Sequence, residues 1–582
     1  MRTVRAFGIG ALGGVIVAGL CAAALAAPAG GGLAAREQPD PVVAAQGYLK
    51  QARDWGTAAA KLAENHDPHA VDAFYAATEA AWNAVWTCPG SAEIVCEASE
   101  LYVAALEGLL VTACHHGRFT NEGLALGPRW KTVVVPIETR ALPVDASLIE
   151  KIVAVPPPAD ARIRRHHCRE GFGLPVVVRV KRAPPGTVAG AFAPDRQSLA
   201  ATAVLRFRMP GDETFLQTFA GPLARDHAAA VLDLANPVEI AAVRIGAARP
   251  PLAGDLTAPL LDVLEGTPQA GLSGFIQPYG RGDTQPRLEV LEPHQPGRIP
   301  VVFIHGLASD EGTWFDLLNE LRTWPTFHRR YEPWVFHYPT GASFLQSAAV
   351  LRGQLQAAVH GLDPEGADPA LRQVVLVGHS MGGLHAKMMV VEPGTAIWDS
   401  VSRRPFDEVR MQPEVRRFVA PLFFFEPLPF VKRVVFIATP HAGSSLASRA
   451  VGRAAALTVR RPAQTAAVYE QLVALNPDTF QGDFARSLPT TVDILEPESS
   501  ILAALRALRT PCWVTTHSVI GTAHHSLTGD PGDCVVPASS ARLAGTVSEI
   551  EVPATHTKVH HQPATVRELE RILTQHLHET GP

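Results

Sequence analysis

Short, continuously apolar runs alternate with helical patterns from about residue 290 to the end of the chain. This alternation limits the fold more than any other feature of the sequence. Such runs predict strands buried on both faces, because a strand with one solvated face alternates apolar and polar residues. Intervening helices predict a parallel sheet covered by helices on both faces. The runs predicted as strands are Val301–Ile304, Trp334–Tyr338, Val374–Val377, Val434–Ile437 and Trp513–Ile520.

The first half of the chain has a different organisation. Residues 41 to 116 are rich in alanine and carry apolar residues at helical spacing, as in Val71–Val85 and Glu97–Cys114. Residues 131 to 250 contain β-branched runs bounded by proline and glycine, which predict strands. The predicted domains are a tether and helical segment at 27–130, a β-rich module at 131–290 and an α/β domain at 291–582. The helical segment carries no evident chemistry and is predicted to serve in packing or docking.

The N-terminus has the pattern of an export signal. Arg2 and Arg5 precede the apolar run Ala6–Ala26, which ends in small residues, so residues 1–26 are predicted to be a signal peptide. An uncleaved anchor is the alternative, because the run approaches the length of a membrane span. Cys21 raises a lipoprotein as a further alternative, although Leu20 departs from that pattern. We therefore expect an exported protein that is periplasmic, secreted or attached to the envelope.

Export places the cysteines in an oxidising compartment, where disulfides persist. The sequence does not fix which of them pair, and buried free thiols are the alternative. The cysteines after the predicted signal are Cys88, Cys96, Cys114, Cys168, Cys512 and Cys534. The net charge of -5 gives no reason to expect a nucleic-acid partner, because nucleic-acid-binding proteins carry a strong basic face.

The sequence Gly378-His379-Ser380-Met381-Gly382 follows the third apolar run directly and precedes a helical pattern. Small residues on both sides of a serine allow a sharp strand-to-helix turn that exposes the hydroxyl at the helix N-terminus. Ser380 is therefore the predicted nucleophile of a serine hydrolase with the α/β-hydrolase fold. A glycine-rich turn without catalysis is the alternative.

Two backbone N–H groups are predicted to form an oxyanion hole. In this fold one comes from the loop after the first strand and the other from the residue after the nucleophile. The sequence His305-Gly306-Leu307 follows the first strand, so Leu307 and Met381 are the predicted donors. The side chain of His305 is expected to bridge loops.

A serine needs a base, and the base needs an orienting carboxylate. The fold orders them serine, acid, histidine along the chain. Asp533 stands in a turn before an apolar pair and is the predicted acid, with Asp530 as its rival. His556 follows the last predicted strand, Glu549–Val552, and is the predicted base. The rival bases are His560 and His561.

The segments Phe303–Leu307, Gly378–Gly383 and Ala438–Ser444 together resemble the lipase and esterase branch of the α/β-hydrolases. That branch includes proteins similar to the GPI inositol-deacylases, and the resemblance covers roughly residues 295 to 578. In such relatives the acid often lies in a segment resembling Asp-Gly-x-Val-Pro. Here Cys534 replaces that glycine, which leaves the geometry of the turn open.

These features predict hydrolysis of a carboxylic ester through an acyl-enzyme, with no metal and no organic cofactor. The expected substrate is a small or lipid-like ester, in keeping with proximity to a membrane. The alternatives are an acyltransferase on the same fold and an envelope scaffold with an inactive hydrolase domain. The apolar stretch Phe418–Phe430 is predicted either to wall an acyl pocket or to pack as an ordinary helix. Residues 445 to 511 form a helical insertion that could roof the site.

Two further motifs have simpler interpretations. Arg164–Cys168 clusters basic and thiol side chains, but its spacing matches no standard metal pattern, so a solvated loop is preferred over a metal or anion site. Arg281-Gly282-Asp283 spells an adhesion tripeptide in a turn-rich stretch and is interpreted as coincidence.

Overall fold

The structure is a computed structural model. It describes residues 40–120, 122–128, 132–155, 163–209, 229–265, 285–341, 343–444, 463–485, 491–525 and 530–581. The described residues form two compact units. Of the described residues, the first unit holds those within 40–155, 166–181 and 196–265, and the second holds those within 163–165, 182–195 and 285–581. The predicted signal peptide and Arg281–Asp283 lie outside the described residues.

Strands and helices are numbered here in chain order over the described residues. The strands are β1 Phe119–Thr120, β2 Gly123–Leu126, β3 Val133–Val135, β4 Ile137–Arg140, β5 Ile149–Ala154, β6 Cys168–Arg169, β7 Leu174–Val180, β8 Ser198–Phe207, β9 Ala230–Ala235, β10 Gly254–Asp255, β11 Arg287–Val290, β12 Ile299–Ile304, β13 Tyr331–His337, β14 Val374–His379, β15 Val431–Ile437, β16 Thr515–Gly521, β17 His524–His525, β18 Pro531–Gly532 and β19 Ser548–Val552. The α-helices are α1 Pro41–Glu64, α2 Ala70–Thr87, α3 Ala92–His115, α4 Val188–Phe192, α5 Ala258–Glu265, α6 Phe315–Leu321, α7 Pro325–Arg330, α8 Phe344–Leu362, α9 Met381–Met388, α10 Ala396–Asp399, α11 Pro413–Phe423, α12 Ala463–Leu475, α13 Thr491–Ile494, α14 Ser500–Ala507, α15 Ala538–Ala541 and α16 Pro563–Thr580. Short 3-10 turns include Glu311–Trp314 and His556–His561. None of the described helices combines the length and apolar character that a membrane span requires.

The first unit opens with the helices α1, α2 and α3, as the alanine-rich pattern predicts. Helix α1 begins at Pro41, and the side chain of Asp40 accepts a hydrogen bond from the N–H of Val42 at 2.9 Å. This satisfies one of the backbone donors that a helix N-terminus leaves unpaired. Alanines such as Ala45 and Ala77 are fully buried. Their small side chains let the three helices pack closely.

A five-stranded sheet in the order β4-β9-β8-β7-β5 completes the core of the first unit. The pair β4 and β9 is parallel, and the other neighbours are antiparallel. Tyr102 of α3 donates its hydroxyl to the carbonyl of Leu205 in β8 at 2.8 Å, and both side chains belong to one apolar core. The helical segment and the strands, predicted as separate modules at 27–130 and 131–290, therefore share one core in the described residues.

The second unit is built on a seven-stranded sheet in the order β11-β13-β12-β14-β15-β16-β19. All neighbours are parallel except β11, which runs antiparallel to β13 at the edge. The parallel sheet predicted from the alternating pattern and the α/β-hydrolase fold predicted from the serine motif are confirmed. Strand β11 lies just before the predicted boundary at 291, yet it pairs with this sheet, as residues 182–195 also join this unit.

Successive residues of a strand point to opposite faces, so both faces of this sheet need cover. Val302 and Ile304 of β12 belong to an apolar core that also includes residues of α8 and α9. Phe303, between them, contacts Trp314 on the other face, with ring centroids 5.3 Å apart. This arrangement explains why the strand sequences are continuously apolar.

The phenylalanine-rich stretch lies at the end of the sheet opposite to Ser380. Its last residue, Phe430, directly precedes β15, and its carbonyl accepts a hydrogen bond from Val374 at the start of β14, at 2.9 Å. Ser380 follows the other end of β14. Phe423 of α11 packs against Trp398 with centroids 5.1 Å apart. The stretch therefore packs as an ordinary helix and its following segment. Because it lies at the end of the sheet opposite to Ser380, the alternative that it walls an acyl pocket is wrong.

A buried arginine ties the C-terminal helix to the sheet. Arg433 of β15 is 1% exposed and contacts His517 at 2.6 Å and His576 of α16 at 3.2 Å, and it also pairs with Glu579. Burial and the nearby guanidinium lower the pKa of His517 to about 3 and that of His576 to about 4. Both rings are therefore neutral near pH 7 and accept from Arg433.

Candidate active site

Ser380 occupies the sharp turn between β14 and α9. Its φ of 55° lies in the left-handed region, which is strained for a residue with a Cβ and is a mark of functional turns. A Cβ on Gly382 would come within 2.0 Å of the carbonyl oxygen of Ile304, and one on Gly378 within 2.5 Å of the backbone of α9. Only glycine fits at these two positions, as the sequence motif predicts.

Three predicted residues meet at the carboxyl end of the sheet. His556 Nε2 lies 2.8 Å from Ser380 Oγ, and His556 Nδ1 lies 2.7 Å from Asp533 Oδ2. A carboxylate only accepts hydrogen bonds, so Nδ1 carries the proton and Nε2 is left to accept the proton of Ser380. The contacts span 176 and 23 residues along the chain. The fold thus brings together the serine, histidine and carboxylate that the sequence singled out.

Both oxygens of the Asp533 carboxylate accept hydrogen bonds, which fix its position. Its Oδ1 accepts hydrogen bonds from the backbone N–H groups of Val535 at 2.9 Å and Val536 at 2.7 Å, leaving Oδ2 for the imidazole. The backbone carbonyl of Asp533 also accepts from the N–H of His556 at 2.9 Å. Asp533 is 1% exposed, so little water competes for these contacts.

The rival residues lie elsewhere. Asp530 is exposed and makes no described contact with His556. His560 is buried against Trp314, with ring centroids 5.6 Å apart, and burial places its pKa well below the usual value. His561 directs Nδ1 to Asp316 at 3.2 Å. None of the three takes part in the contacts between Ser380, His556 and Asp533.

The two predicted oxyanion donors flank Ser380. Met381 begins α9 directly after the serine, so its N–H belongs to the unpaired first turn of the helix. Gly306, next to Leu307, lies so close to the serine that an added Cβ would be 2.8 Å from Ser380 Cβ. Across the described ranges, neither N–H has a protein acceptor. Both are thus available to an oxygen bound beside Ser380 Oγ.

The loop that carries Leu307 is fixed from both sides. The ring of His305 stacks on Tyr338 at 4.4 Å, and its carbonyl accepts from the Tyr338 hydroxyl at 2.7 Å. The N–H of Ala308 donates to Thr340 Oγ1 at 3.0 Å. His305 therefore bridges two loops through Tyr338, and its role is structural rather than that of a base.

The segment Ala438–Ser444, which carries much of the family resemblance, supports the turn of the acid. Ser444 donates its hydroxyl to the carbonyl of Val535 at 2.7 Å. The N–H of Ala442 donates to Ser540 Oγ at 3.1 Å, and Ser540 Oγ donates to the carbonyl of Gly443 at 2.6 Å. These bonds hold the backbone that presents two N–H groups to Asp533.

The turn after Asp533 accepts cysteine where the resembling proteins have glycine. Cys534 is exposed and has a φ of 79°, in the region that favours glycine. The backbone thus keeps a glycine-like geometry although the side chain differs. The geometry of the turn, which the cysteine at position 534 left open in the sequence, is therefore that of a turn with glycine.

The strain at Cys534 can be measured by comparing two replacements. We expect Cys534→Gly to exceed Cys534→Ala in free energy of unfolding by about 1 kcal/mol, because alanine keeps the Cβ that disfavours positive φ. Urea unfolding of both variants would measure the difference. An alanine variant as stable as the glycine variant would contradict the assigned backbone conformation.

Two side chains of the basic segment Arg164–Cys168 contact different carboxylates. Arg164 pairs with Asp316 at 2.7 Å. Burial raises the pKa of Asp316, but His561 and Arg164 outweigh it and lower that pKa to about 2. His166 contacts Asp255 at 2.6 Å within the first unit. In the part of the chain that the structure describes, no group of three or more His, Cys, Asp or Glu side chains is arranged to hold a metal ion.

Two residues that support the site, Thr340 and His379, were not predicted from the sequence. Thr340 fixes the loop of Leu307, and His379 donates a hydrogen bond to the main-chain carbonyl of His556 at 2.9 Å. His379 stands inside the serine motif, so its position was visible. Its contact spans 177 residues, and nothing in the local pattern indicates that partner.

The second half of the chain is similar to a known protein family. Residues 301–569 match the model of the alpha/beta hydrolase family. No curated protein matches the sequence. Solved structures with similarity include a lipase of Bacillus licheniformis in its mature form, at 17% identity and a TM-score of 0.29, covering 48% of this chain and 93% of that one.

Two further structures are similar at the same level. A lipase of Staphylococcus hyicus has 15% identity and a TM-score of 0.31, covering 50% of this chain and 97% of that one. A thermophilic esterase of Thermogutta terrifontis with propionate bound has 14% identity and a TM-score of 0.27, covering 51% of this chain and 92% of that one. The family match and the sheet order described above agree. Residues 301–569 are therefore similar to the alpha/beta hydrolase family, and the second unit has the α/β-hydrolase fold.

Proposed function

We propose that this protein is a serine hydrolase that cleaves carboxylic esters through an acyl-enzyme on Ser380. The observation that carries the proposal is the continuous hydrogen-bonded line from Ser380 Oγ through His556 to Asp533, with distances of 2.8 and 2.7 Å. A serine hydroxyl becomes a competent nucleophile when an oriented imidazole can accept its proton.

In the first half of the reaction, Ser380 Oγ attacks the ester carbonyl carbon while His556 Nε2 takes the hydroxyl proton. The carbonyl π electrons move to oxygen, and the N–H groups of Leu307 and Met381 stabilise the resulting oxyanion. Asp533 stabilises the imidazolium that forms. The carbon–oxygen bond to the alcohol then breaks, and His556 returns the proton to the departing alkoxide.

In the second half, His556 Nε2 takes a proton from water as the water oxygen attacks the acyl-enzyme. A second tetrahedral intermediate collapses with release of Ser380, which regains its proton from His556, and the carboxylic acid leaves. This cycle needs no metal or organic cofactor, because the proton carrier, the nucleophile and the oxyanion donors all belong to this chain.

Several finer points belong to this proposal. The segment Ala438–Ser444 favours the lipase and esterase branch, and the resemblance to GPI inositol-deacylases stays a prediction from that segment. The predicted signal peptide favours an exported enzyme acting on small or lipid-like esters outside the cytoplasm. An acyltransferase would use the same acyl-enzyme with an alcohol in place of water.

Active-site labelling with a fluorophosphonate, followed by product analysis, tests the proposal. Fluorophosphonates modify activated serines, so we expect the folded wild-type protein to be labelled at Ser380. Turnover of p-nitrophenyl esters of rising acyl length should then release free acid even when a competing alcohol is present. Mostly ester product would favour the acyltransferase, and a folded protein that is neither labelled nor active would favour the scaffold alternative.

A further inference from the structure

We propose that His379 is a positioning residue for His556: by donating Nε2–H to the main-chain carbonyl of His556, it holds that imidazole within hydrogen-bond distance of Ser380. The inference rests on the proposed function and deepens it. His379 immediately precedes the nucleophile, so two consecutive residues of the sharp turn between β14 and α9, here called the elbow, would supply both the hydroxyl and the support of its base.

The geometry of the bond favours this role. The Nε2 of His379 lies 2.9 Å from the carbonyl oxygen of His556, and the two rings pack with centroids 5.0 Å apart. On its other side, the N–H of His556 donates to the carbonyl of Asp533 at 2.9 Å. The peptide groups on both sides of His556 are thus fixed, and its ring is fixed in turn by Asp533 and Ser380. Removing the bond from His379 frees the C-terminal side of this residue.

The ring of His379 is held in place by its surroundings. It is 4% exposed, lies 4.5 Å from the ring of His560 and presents its plane edge-on to Trp314 at 6.4 Å. A Cβ on Gly306 would lie 3.3 Å from His379 Nδ1. The ring therefore lies between the loop that carries Leu307, the elbow and the turn His556–His561. Because it contacts all three segments, the ring can fix the position of His556 relative to Ser380.

Its protonation state suits a donor that must stay uncharged. A carbonyl only accepts, so Nε2 carries the proton, and Nδ1 has no hydrogen-bond partner among the described residues. Burial, with the neighbouring His556, lowers the pKa of His379 to about 3, so the ring is neutral at ordinary pH. The other titratable rings that face it are His305, His560 and His561. A neutral His379 does not oppose the positive charge that His556 acquires during the reaction.

The test compares His379→Leu, which removes the donor, with His379→Gln, whose terminal amide keeps an N–H at similar reach. We expect His379→Leu to lower kcat about tenfold to a hundredfold with KM changed less than about twofold, because displacement of the base by a fraction of an ångström to 1 Å has effects of this size. His379→Gln should recover most of the loss. The acidic limb of the kcat profile, which reports the protonation of the base in the complex, should shift in the leucine variant and return in the glutamine variant.

The matched control is His576→Leu. His576 is another buried histidine of the same domain, 1% exposed, and its Nε2 donates to the main-chain carbonyl of Gln373 at 2.9 Å, before the start of β14 and away from Ser380. Its replacement should leave kcat and the pH profile unchanged. Thermal unfolding of each variant, measured in parallel, corrects the rates for the fraction of folded protein.

The outcomes separate this inference from the proposed function. A fall of turnover to near the background rate in Ser380→Ala, together with His379→Leu within about twofold of wild type, would overturn the positioning role alone. Equal losses in the leucine and glutamine variants with an unchanged acidic limb would do the same. A wild-type protein without labelling or turnover would instead overturn the proposed function.

Discussion

Replacement of Ser380 by alanine is expected to lower kcat for an ester by a factor on the order of a million, to near the background rate, because alanine has no hydroxyl with which to form the acyl-enzyme. The His556 ring and the N–H groups of Leu307 and Met381 remain, so weak residual catalysis through water should persist. Folding should change little, because alanine also carries a Cβ and meets the same strain at a φ of 55°. Steady-state kinetics with p-nitrophenyl esters and urea unfolding measure the two effects.

A serine outside the site serves as the control for this substitution. Ser400 donates its hydroxyl to the carbonyl of Ile397 at 2.7 Å at the end of α10, away from the elbow. Ser400→Ala should keep wild-type turnover and full labelling by a fluorophosphonate. Turnover that survives in Ser380→Ala would show that another residue is the nucleophile, and the proposed mechanism would fail with it.

The strands of the α/β domain were predictable because burial on both faces leaves a simple local signature. All five apolar runs correspond to strands, from β12 to β16, and their order of elements along the chain matches the fold. Strand β11 was missed. Its sequence Arg287–Val290 alternates polar and apolar residues, as an edge strand with one solvated face does, so it lacks the continuous apolar run by which the other strands were recognised.

The grouping of the N-terminal elements was less accessible to sequence analysis. Helices and strands were recognised by their own periods, yet periodicity does not state which apolar faces meet. In the structure Tyr102 and Leu205, separated by 103 residues, lie in one core. Contacts of such separation depend on the topology and leave no mark in a local pattern.

At the site, too, local features were predictable from the sequence and contacts between distant residues were not. The serine motif comes from local chain geometry, and the order serine, acid, histidine comes from the fold that the motif indicates, so Ser380 and its partners could be singled out. The choice between Asp533 and Asp530 is made by the turn itself, which points the N–H groups of Val535 and Val536 at one carboxylate. The support from His379 depends on a contact across the sheet end and could not be predicted.

Replacement of Asp533 by asparagine is expected to lower kcat by about ten-thousandfold with a small change in KM. Asparagine can still accept from the N–H groups of Val535 and Val536 through its carbonyl oxygen, so the turn should persist. Its amide nitrogen would then face His556 Nδ1 and donate to it. That contact places the imidazole proton on Nε2, where it meets the hydroxyl of Ser380, and the ring can no longer take the serine proton.

The rejected rival provides the matched control for this experiment. Asp530→Asn makes the same chemical change three positions earlier, on an exposed side chain, and should leave kcat within about twofold of wild type. Steady-state kinetics across pH, with urea unfolding of both variants, distinguishes loss of catalysis from loss of folded protein. A large loss in Asp530→Asn with a small one in Asp533→Asn would reverse the assignment of the acid. A large loss in Asp533→Asn alone would assign the acid to Asp533, whose carboxylate fixes the tautomer of His556 and stabilises its imidazolium, since the side-chain shape and the turn are retained.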